Sequence, residues 1–406
     1  MTDLRVLVTD AGRGSAIAVV RSLGRRGITV IAADHDPRSP GFRSRFAAER
    51  LLYPDPARDP AGVVEALHRA AAERRVDLII PVSDDVLVPL ADARERFEGI
   101  AALAIPDSAA LACVTDKHAT LALARRLGVP VPASALVETV DEALEAAPAI
   151  GWPIVVKPVA SRRYDEAGTE SFEVSYADGP TSLARQIERL ESRSAVLLQR
   201  YHEGEGHGVE LLTDRGRPLA VFQHRRLHEV PITGGASALR ESVPVDPVLR
   251  DHAVRLLAEL EWTGLAMVEF RVGADGPVLM EINGRIWGSL PLAVKSGVDF
   301  PAGLAQLYLR ERMNGASIAE PLPAPRIGVR SRNLGLELVW IASVLRAARR
   351  YPFLATPPRR QGLAAALRLL SPHDGFDVLC REDPVPGLLD AGRAVRHVTG
   401  KVRHGR

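Results

Sequence analysis

The sequence predicts a chain of mixed α/β and α+β class, with a small parallel domain, a larger region containing antiparallel strands and a mostly helical C-terminal segment. Residues 4–34 follow the order strand, glycine-containing turn, helix and strand, which is a βαβ unit. Residues 265–285 contain two runs of alternating apolar and polar residues, which is typical of a β-hairpin. After residue 334 the spacing of apolar residues is helical and is interrupted by prolines. At 406 residues and 46% hydrophobic content, the chain can form two or three domains.

The first 105 residues are predicted to form a parallel sheet wrapped by helices. Strands are expected at 4–9, 28–33, 76–81 and 101–105, and helices at 16–26 and 60–74. We place the first boundary at Pro106-Asp107. The predicted units are therefore 1–105, 106–312 and a C-terminal segment, 313–406.

Composition limits the classes of function. The formal net charge is only +2, although residues 308–406 carry an excess of about nine basic over acidic side chains. Arginine and aromatic residues do not interleave, so we predict no nucleic-acid partner. Cys113 and Cys380 lack metal-type spacing, and no signal peptide or membrane-spanning run is visible. We expect a cytoplasmic protein without stable membrane insertion.

The hairpin carries the strongest chemical signal. Alternation places Val268, Phe270, Val272, Val278, Met280 and Ile282 on one apolar face. Glu269, Glu281 and Asn283 then share the other face. If residues 274–276 form a three-residue loop with Gly276 in the left-handed position, Glu269 lies opposite Glu281. Two facing carboxylates and an amide suit Mg²⁺ completed by phosphate oxygens, whereas a solvated polar face is the alternative.

Several segments, in order, resemble the ATP-grasp enzymes, in the branch of carboxylate–amine ligases. They are Thr115-Asp116-Lys117 followed by Gly128-Val-Pro-Val-Pro132, then Gly151-Trp-Pro-Ile-Val-Val-Lys157-Pro158, then Leu197 to Glu205, and finally Glu269 with Glu281-Ile-Asn283-Gly-Arg285. The resemblance covers roughly residues 4–312. It implies an ATP-grasp fold, in which a small parallel α/β domain precedes a two-lobed α+β ATP-binding region. The mobile lobe would span about 115–200 and the metal-binding lobe about 201–312.

The resemblance also implies roles for particular residues. Lys157 and Lys117 would contact the phosphates of ATP, as compact point charges suited to that task. Arg285 would face the transferred phosphoryl group or the acyl-phosphate. The metal would be Mg²⁺, with Mn²⁺ as an alternative, on Glu269, Glu281 and Asn283. The nucleoside contacts would come from the hinge, with Glu203 and Glu205 as alternatives for the ribose: Gln199, Arg200, Tyr201, His202, Glu203 and Glu205.

Two segments depart from the family pattern or leave alternatives open. Residues 160–169 stand where many relatives have a glycine-rich flap, yet Gly168 is the only glycine. Either Arg162 or Arg163 replaces the backbone donors over the phosphates, or the segment is a plain solvated loop. Residues 225–242 combine clustered cations with a Gly-Gly turn, which suits a carboxylate-bearing substrate, and Arg240 is the preferred substrate residue. A structural loop with surface arginines is the alternative there.

The predicted function is an ATP-dependent ligase that activates a carboxylate as an acyl-phosphate and joins it to an amine. The partners would be small carboxylate and amine substrates, of amino-acid or peptide type, and a homodimer is left open. The turn from Asp10 to Ile17, with Asp34 ending the next strand, supports the rival of an NAD(P)-dependent oxidoreductase only in part. Ile17 stands where the dinucleotide fingerprint has a third glycine or alanine. A non-catalytic ATP-binding protein is the third hypothesis.

Overall fold

A computed structural model describes residues 4–158, 162–165, 168–171, 174–190, 195–310, 324–346, 351–371 and 373–403. Its strands form a five-stranded, a four-stranded and a seven-stranded sheet and one two-stranded hairpin. The predicted fold class is confirmed, because a parallel α/β unit precedes two regions of antiparallel strands with helices.

The N-terminal domain is a parallel sheet in the order β3-β2-β1-β4-β5. Its strands are short and almost wholly apolar because helices cover both faces of the sheet. The edge strand β3 was not predicted, since its first two residues are charged. The elements are β1 (Arg5–Val8), α1 (Gly14–Arg25), β2 (Thr29–Asp34), β3 (Glu49–Leu52), α2 (Pro60–Glu73), β4 (Leu78–Ile80), α3 (Asp84–Asp92) and β5 (Ala102–Leu103).

The second region contains a four-stranded antiparallel sheet in the order β10-β7-β11-β6. Helices α6 and α7 cover one face of it, and Ala143, Ile154 and Leu183 lie in the shared core. The elements are α4 (Ser108–Thr115), α5 (Lys117–Arg126), β6 (Ser134–Val137), α6 (Val140–Ile150), β7 (Ile154–Pro158), β8 (Arg162–Asp165), β9 (Gly168–Ser171), β10 (Ser175–Ala177), α7 (Pro180–Glu188) and β11 (Val196–Arg200).

The third region is built on the seven-stranded sheet, in the order β16-β15-β12-β13-β14-β17-β18. Neighbouring strands are antiparallel except for the last pair. Up to α10, the elements are β12 (Glu205–Asp214), β13 (Arg217–Val230), β14 (Ala236–Ser242), α8 (Pro247–Glu259), β15 (Gly264–Gly273), β16 (Gly276–Asn283), α9 (Leu290–Lys295) and α10 (Phe300–Leu309).

The C-terminal segment completes this sheet instead of forming a separate helical unit. Strands β17 (Arg330–Arg332) and β18 (Asp374–Phe376) extend it beyond β14. Helix α11 (Leu334–Arg346) packs on it, α12 (Arg359–Arg368) packs against α11, and α13 (Pro384–Arg403) returns to the N-terminal domain. There the buried guanidinium of Arg21 binds Asp383, at 2.9 Å. The part of the chain between residues 313 and 323 lies outside the described residues.

Two hydrophobic clusters run from the parallel sheet into the seven-stranded region. In one, Val8 and Leu23 belong to the same core as Trp287 and Phe300. The N-terminal domain is therefore packed firmly against the lobe that carries the hairpin. Over the part of the chain that the structure describes, no helix combines the length and the apolar character needed to span a bilayer.

Candidate active site

A cavity of about 470 Å³ lies between the four-stranded and the seven-stranded sheet. Most of the side chains predicted to act on a nucleotide line it, although they come from elements far apart in the sequence. Among the described residues, the lining does not include Gln199, Glu203 or Glu205. The predicted residues that do line the cavity are Lys117, Lys157, Arg200, Tyr201, His202, Arg240, Glu269, Glu281, Asn283 and Arg285.

The structure pairs Glu269 directly with Glu281 on strands β15 and β16, as the alternation predicts. The route to this register differs from the predicted one. Gly273 pairs with Gly276, so the loop has two residues, and a bulge between residues 269 and 270 supplies the extra residue on β16. Leu279, rather than Met280, therefore packs opposite Phe270 in the core, and Met280 lines the cavity.

The two carboxylates converge on one point. The Nδ2 atom of Asn283 donates to Oε1 of Glu269, at 2.9 Å, and to Oε1 of Glu281, at 3.3 Å. The amide N–H group of Asn283 thus sits between the two carboxylates. A divalent cation in the same place would be held by the same two carboxylates. A half-turn of the amide would present its oxygen to the same point. The donor set thus fits Mg²⁺ or Mn²⁺, with all ligands being oxygen atoms.

Arg226, which sequence reasoning did not single out, binds the same site. Its Nη2 atom lies 2.5 Å from Oε2 of Glu269, although Arg226 lies on β13 and Glu269 lies two strands away on β15. The side chain reaches across β12, where residues 206 and 208 are glycines. A Cβ atom at Gly206 would come within 2.9 Å of Arg226 Cδ. Glycines at alternate positions of a strand often mark such a close approach. They were the feature of the sequence that could have indicated a long side chain crossing β12.

Arg226 belongs to a half-buried ionic network. Glu229 accepts from Arg226, at 3.5 Å, and from Arg271, at 2.9 Å, and Arg271 also donates to the Gly204 carbonyl in the hinge. Burial raises the pKa of Glu269, against the opposing effect of Arg226. Burial alone would lower the pKa of Arg226, but the carboxylates of Glu269 and Glu229 outweigh it and raise the pKa. Arg271 lines the cavity as well, and its register with Glu269 on β15 could have identified it.

Lys157 is held on the opposite wall by Gln199. The ammonium of this partly buried lysine donates to Oε1 of Gln199, at 2.6 Å, across the β7–β11 pair. Burial lowers the pKa of Lys157 to about 8, although Glu281 acts in the opposite direction. Gln199 was predicted to support the nucleobase segment, which stays a prediction, and in the structure its side-chain carbonyl oxygen accepts from the lysine. Lys117 is nearby, at the first position of helix α5, whose N-cap is Asp116.

The segment after β11 forms one end of the cavity. The N–H of Arg200 donates to the Ala133 carbonyl, and that of Tyr201 donates to the Pro153 carbonyl. Both N–H groups therefore belong to the sheet, and a nucleobase would meet the Arg200 carbonyl or the backbone of His202. Tyr201 packs edge-on against Tyr176, which was not predicted and also lines the cavity. Glu203 and Glu205 are exposed, so the structure favours neither for the ribose.

The two predicted arginines occupy different environments. Arg285 lines the cavity, and its Nε atom donates to Oδ2 of Asp84 in the N-terminal domain, at 2.8 Å. Arg240 lines the cavity as well, but it is only 1% exposed and its guanidinium is paired with the similarly buried Asp377 of the C-terminal segment. Its contact with a substrate stays a prediction, because its main partner in the structure is a protein carboxylate.

Part of the predicted flap, 160–169, lies outside the described residues, and so do the side chains of Arg162 and Arg163. The described backbone pairs residues 162–165 with 168–171 as an antiparallel hairpin. The choice between a phosphate-covering flap and a solvated loop stays open. The Gly-Gly turn of the predicted acceptor segment lines the cavity through Gly234 and Gly235.

The turn after β1 argues against the dinucleotide alternative. The carboxylate of Asp34, which would bind a ribose, accepts a hydrogen bond from the Gly12 N–H, at 2.5 Å. A Cβ atom at Gly14 would lie 3.1 Å from Val378, and Arg393 of α13 binds Asp36. The C-terminal segment therefore packs against the surface that a pyrophosphate would need.

The fold and the site together define a class of protein: two α+β lobes that enclose a cavity, with lysines on one lobe and a pair of acids on the other. Comparison with known proteins agrees with this class. Residues 192–329 match the family model described as ATP-grasp in the biosynthetic pathway with Ter operon. This range contains the hairpin and Arg226. Over this range, the match confirms the predicted resemblance to the ATP-grasp enzymes.

Similar curated proteins are larger or only partly covered. The chain is 24% identical over 322 residues to the carbamoyl phosphate synthase large chain of Thermus thermophilus, covering 77% of this chain and 30% of that protein. It is 26% identical over 294 residues to the formate-dependent phosphoribosylglycinamide formyltransferase of Ignicoccus hospitalis, covering 66% of each. The chain thus spans less than a third of the length of the carbamoyl phosphate synthases that it matches.

Similar solved structures agree on the fold. The biotin carboxylase domain of Hydrogenobacter thermophilus 2-oxoglutarate carboxylase, in complex with MgADP and bicarbonate, has a TM-score of 0.61 at 20% identity. That match covers 80% of this chain and 73% of the other. An L-amino acid ligase from Bacillus licheniformis has a TM-score of 0.58 at 15% identity, covering 76% of this chain and 74% of the ligase.

Proposed function

We propose that this chain is an ATP-dependent ligase that activates a carboxylate as an acyl-phosphate and joins it to an amine, releasing ADP and phosphate. The observation that carries the proposal is the pairing of Glu269 with Glu281, beside Asn283, in a cavity whose other wall carries Lys157. The similarity to ligases and to a structure with MgADP supports it.

The nucleotide would lie along the cavity from the hinge to the hairpin. The base would stack near Tyr201 and meet the backbone between Arg200 and His202, which line that end. Lys157, already oriented by Gln199, would face the α- and β-phosphates, and Lys117 would add a second cation. Glu203 or Glu205 would hold the ribose. Each contact neutralises phosphate charge or fixes position, which is most of what phosphoryl transfer requires from a protein.

Glu269, Glu281 and Asn283 would hold Mg²⁺, or Mn²⁺, at the phosphate end of the cavity. When bound, such a cation stabilises negative charge on the transferred phosphoryl group and orients it. Arg226 shares the Glu269 carboxylate and restrains its orientation.

In the first step, a carboxylate oxygen of the substrate attacks the γ-phosphorus, and the bond to ADP breaks. Arg285 would donate to the phosphoryl oxygens as charge develops. In the second step, the amine nitrogen attacks the acyl carbon, phosphate leaves with the electrons of the broken C–O bond, and the amine loses a proton. The protein needs no covalent nucleophile, because ATP supplies the leaving group.

The acceptor end of the cavity limits the substrate class. Gly234, Gly235 and Ser237 line this end with small side chains, which leaves room for a substrate. Trp287 and Leu336 add apolar surface to the lining. We propose a small carboxylate and an amine of amino-acid or peptide type, with Arg240 near the end that is remote from the phosphates.

The test is incubation of the protein with ATP, Mg²⁺ and pooled carboxylates and amines. We expect ADP release that depends on both Mg²⁺ and the pool, and a product lighter by one water than its summed substrates by mass spectrometry. ATP binding without any pool-dependent ADP release would favour the non-catalytic ATP-binding hypothesis. A control variant, Asp275→Asn at the exposed tip of the hairpin, should behave like the wild type.

A further inference from the structure

Arg285 and Asp84 join the two halves of the molecule at the edge of the cavity. Arg285 follows strand β16, and Asp84 opens helix α3 in the N-terminal domain. The Nε atom of the arginine donates to Oδ2 of the aspartate, at 2.8 Å. The Nη1 atom donates to the Ile286 carbonyl, at 3.1 Å. These two contacts fix the guanidinium plane, and Arg285 still lines the cavity.

The position of Asp84 is itself held by a buried set of hydrogen bonds. Oδ2 of Asp10, at the end of β1, accepts from the Ser83 N–H, at 3.1 Å, and Oδ1 accepts from the Ser83 hydroxyl, at 2.9 Å. Thr9 Oγ1 accepts from the Val82 N–H, at 3.1 Å. Asp10 adopts a φ of 53°, in the left-handed region that aspartate enters more readily than most residues other than glycine. The end of β1 thus fixes the turn that presents Asp84.

The charges near Arg285 explain why a partner is needed on this side. Glu281 and Glu269 lie close enough to attract the guanidinium toward the metal ligands. Burial alone would lower the pKa of Arg285, but Asp84 and these two acids outweigh it and raise the pKa. Asp84 attracts the guanidinium away from these acids. Because the guanidinium is planar and rigid, charges on two sides fix its orientation.

We propose that Asp84 is a positioning residue of the ligase reaction: it holds the Arg285 fork where the transferred phosphoryl group of an acyl-phosphate binds. This inference rests on the proposed function and extends the active site into the N-terminal domain. Thr9 and Asp10 support this contact, because they hold the turn before Asp84.

A surface ion pair with only a structural role is the competing explanation. Asp84 is 56% exposed and Arg285 is 27% exposed, and exposed pairs contribute little to stability. Loss of Asp84 should therefore leave folding almost unchanged, so that an effect on phosphoryl binding can be measured separately.

The experiment compares the wild type with Asp84→Asn, Asp84→Glu, Arg285→Gln and the double variant Asp84→Asn/Arg285→Gln. Asp92→Asn is the matched control, because it removes an exposed acid at the other end of the same helix. Binding of a fluorescent ATP analogue with Mg²⁺ measures the nucleotide site. Calorimetric titration of acetyl phosphate into the MgADP complex measures the acyl-phosphate site.

We expect Asp84→Asn to weaken acetyl phosphate binding about tenfold, the size of one charge-assisted hydrogen bond, while nucleotide affinity and thermal stability stay at wild-type values. Asp84→Glu should restore part of the affinity. In the Arg285→Gln background the Asp84 change should add nothing, since both residues act on one contact.

Acetyl phosphate affinity that is unchanged in Asp84→Asn, with wild-type nucleotide binding, would overturn this inference and leave the proposed function standing. Equal losses in both binding assays would overturn it as well, because they indicate general damage. A wild type that binds neither probe would overturn the proposed function, and this inference with it.

Discussion

The ammonium of Lys157 lies 2.6 Å from the Oε1 atom of Gln199 on the neighbouring strand. Burial lowers the pKa of Lys157 to about 8, so that the side chain is charged below this pH and becomes neutral above it. A phosphate contact that depends on this charge should weaken as the pH rises through about 8.

We therefore expect the affinity for ADP in the absence of metal to fall by up to about tenfold per pH unit above pH 8. Titration of a fluorescent ADP analogue between pH 6.5 and 9.5 measures it, with the pH values chosen around the transition. Lys157→Arg should flatten the profile, since an arginine stays charged throughout. The same slope in both proteins would show that another group titrates.

Removal of Asp377 should destabilise the fold strongly. Asp377 and Arg240 are 2% and 1% exposed, and the Ser331 hydroxyl also donates to Asp377, at 2.6 Å. Asp377→Ala leaves a buried guanidinium without its carboxylate, which costs about 3–5 kcal/mol of unfolding free energy. Urea denaturation provides the measurement.

The double variant Arg240→Met/Asp377→Leu is the control for this loss. Because it removes both charges, it should recover much of the stability that the single variant loses. If Asp377→Ala unfolded at the wild-type urea concentration, the C-terminal strand would not be packed against the cavity as described.

Glu210 should make stability depend on pH in the neutral range. It is fully buried beneath the cavity, where Oε1 lies 2.9 Å from His224 Nδ1 and accepts from the Ser289 hydroxyl. Burial raises the pKa of Glu210 to about 8 and lowers that of His224 well below its usual range. Between the unfolded and folded pKa values of Glu210, the folded state holds a proton that the unfolded state has lost.

Raising the pH through this window therefore favours unfolding. Relative to Glu210→Gln, the wild type should lose on the order of 4 kcal/mol of unfolding free energy between about pH 4.5 and 8. Urea titrations of both proteins at several pH values provide the comparison. Parallel curves would mean that Glu210 is ionised in the folded protein.

Arg226 should contribute to catalysis through Glu269. Arg226→Gln removes the charge that lies 2.5 Å from Oε2 of Glu269. We expect turnover to fall by about 10- to 100-fold, because the carboxylate loses its orientation and its pKa rises further. Steady-state ADP release at saturating ATP measures this, and Arg225→Gln, on the outer side of the same strand, is the control. Equal rates of ADP release for Arg226→Gln and Arg225→Gln would show that Arg226 has no role in catalysis.

The extent to which the sequence predicts this molecule depends on how local each feature is. The facing of Glu269 and Glu281 follows from alternation within twenty residues. The bulge at Met280 does not, because a two-residue loop with a later bulge and a three-residue loop give the same pairing of the acids.

Contacts between residues far apart in the sequence were harder to predict. The strands of Arg226 and Glu269 are separated by β12, and Arg226 can cross it because β12 carries glycines there. Predicting this contact would require the order of the strands in the sheet. The start of helix α13 is hard to predict from the sequence, because Pro384, Pro386 and Gly387 in its first turn are typical helix breakers. Prolines are tolerated in the first turn, where their missing N–H has no intrahelical partner.

The proposed metal site is tested by measuring Mg²⁺-dependent ADP release by Glu281→Gln in the presence of the carboxylate and amine that the metabolite screen identifies. We expect a loss of at least about 100-fold with an unchanged melting temperature, while Asp275→Asn on the same hairpin keeps full activity. Turnover by Glu281→Gln at the wild-type rate would contradict the metal site, and with it the proposed ligase.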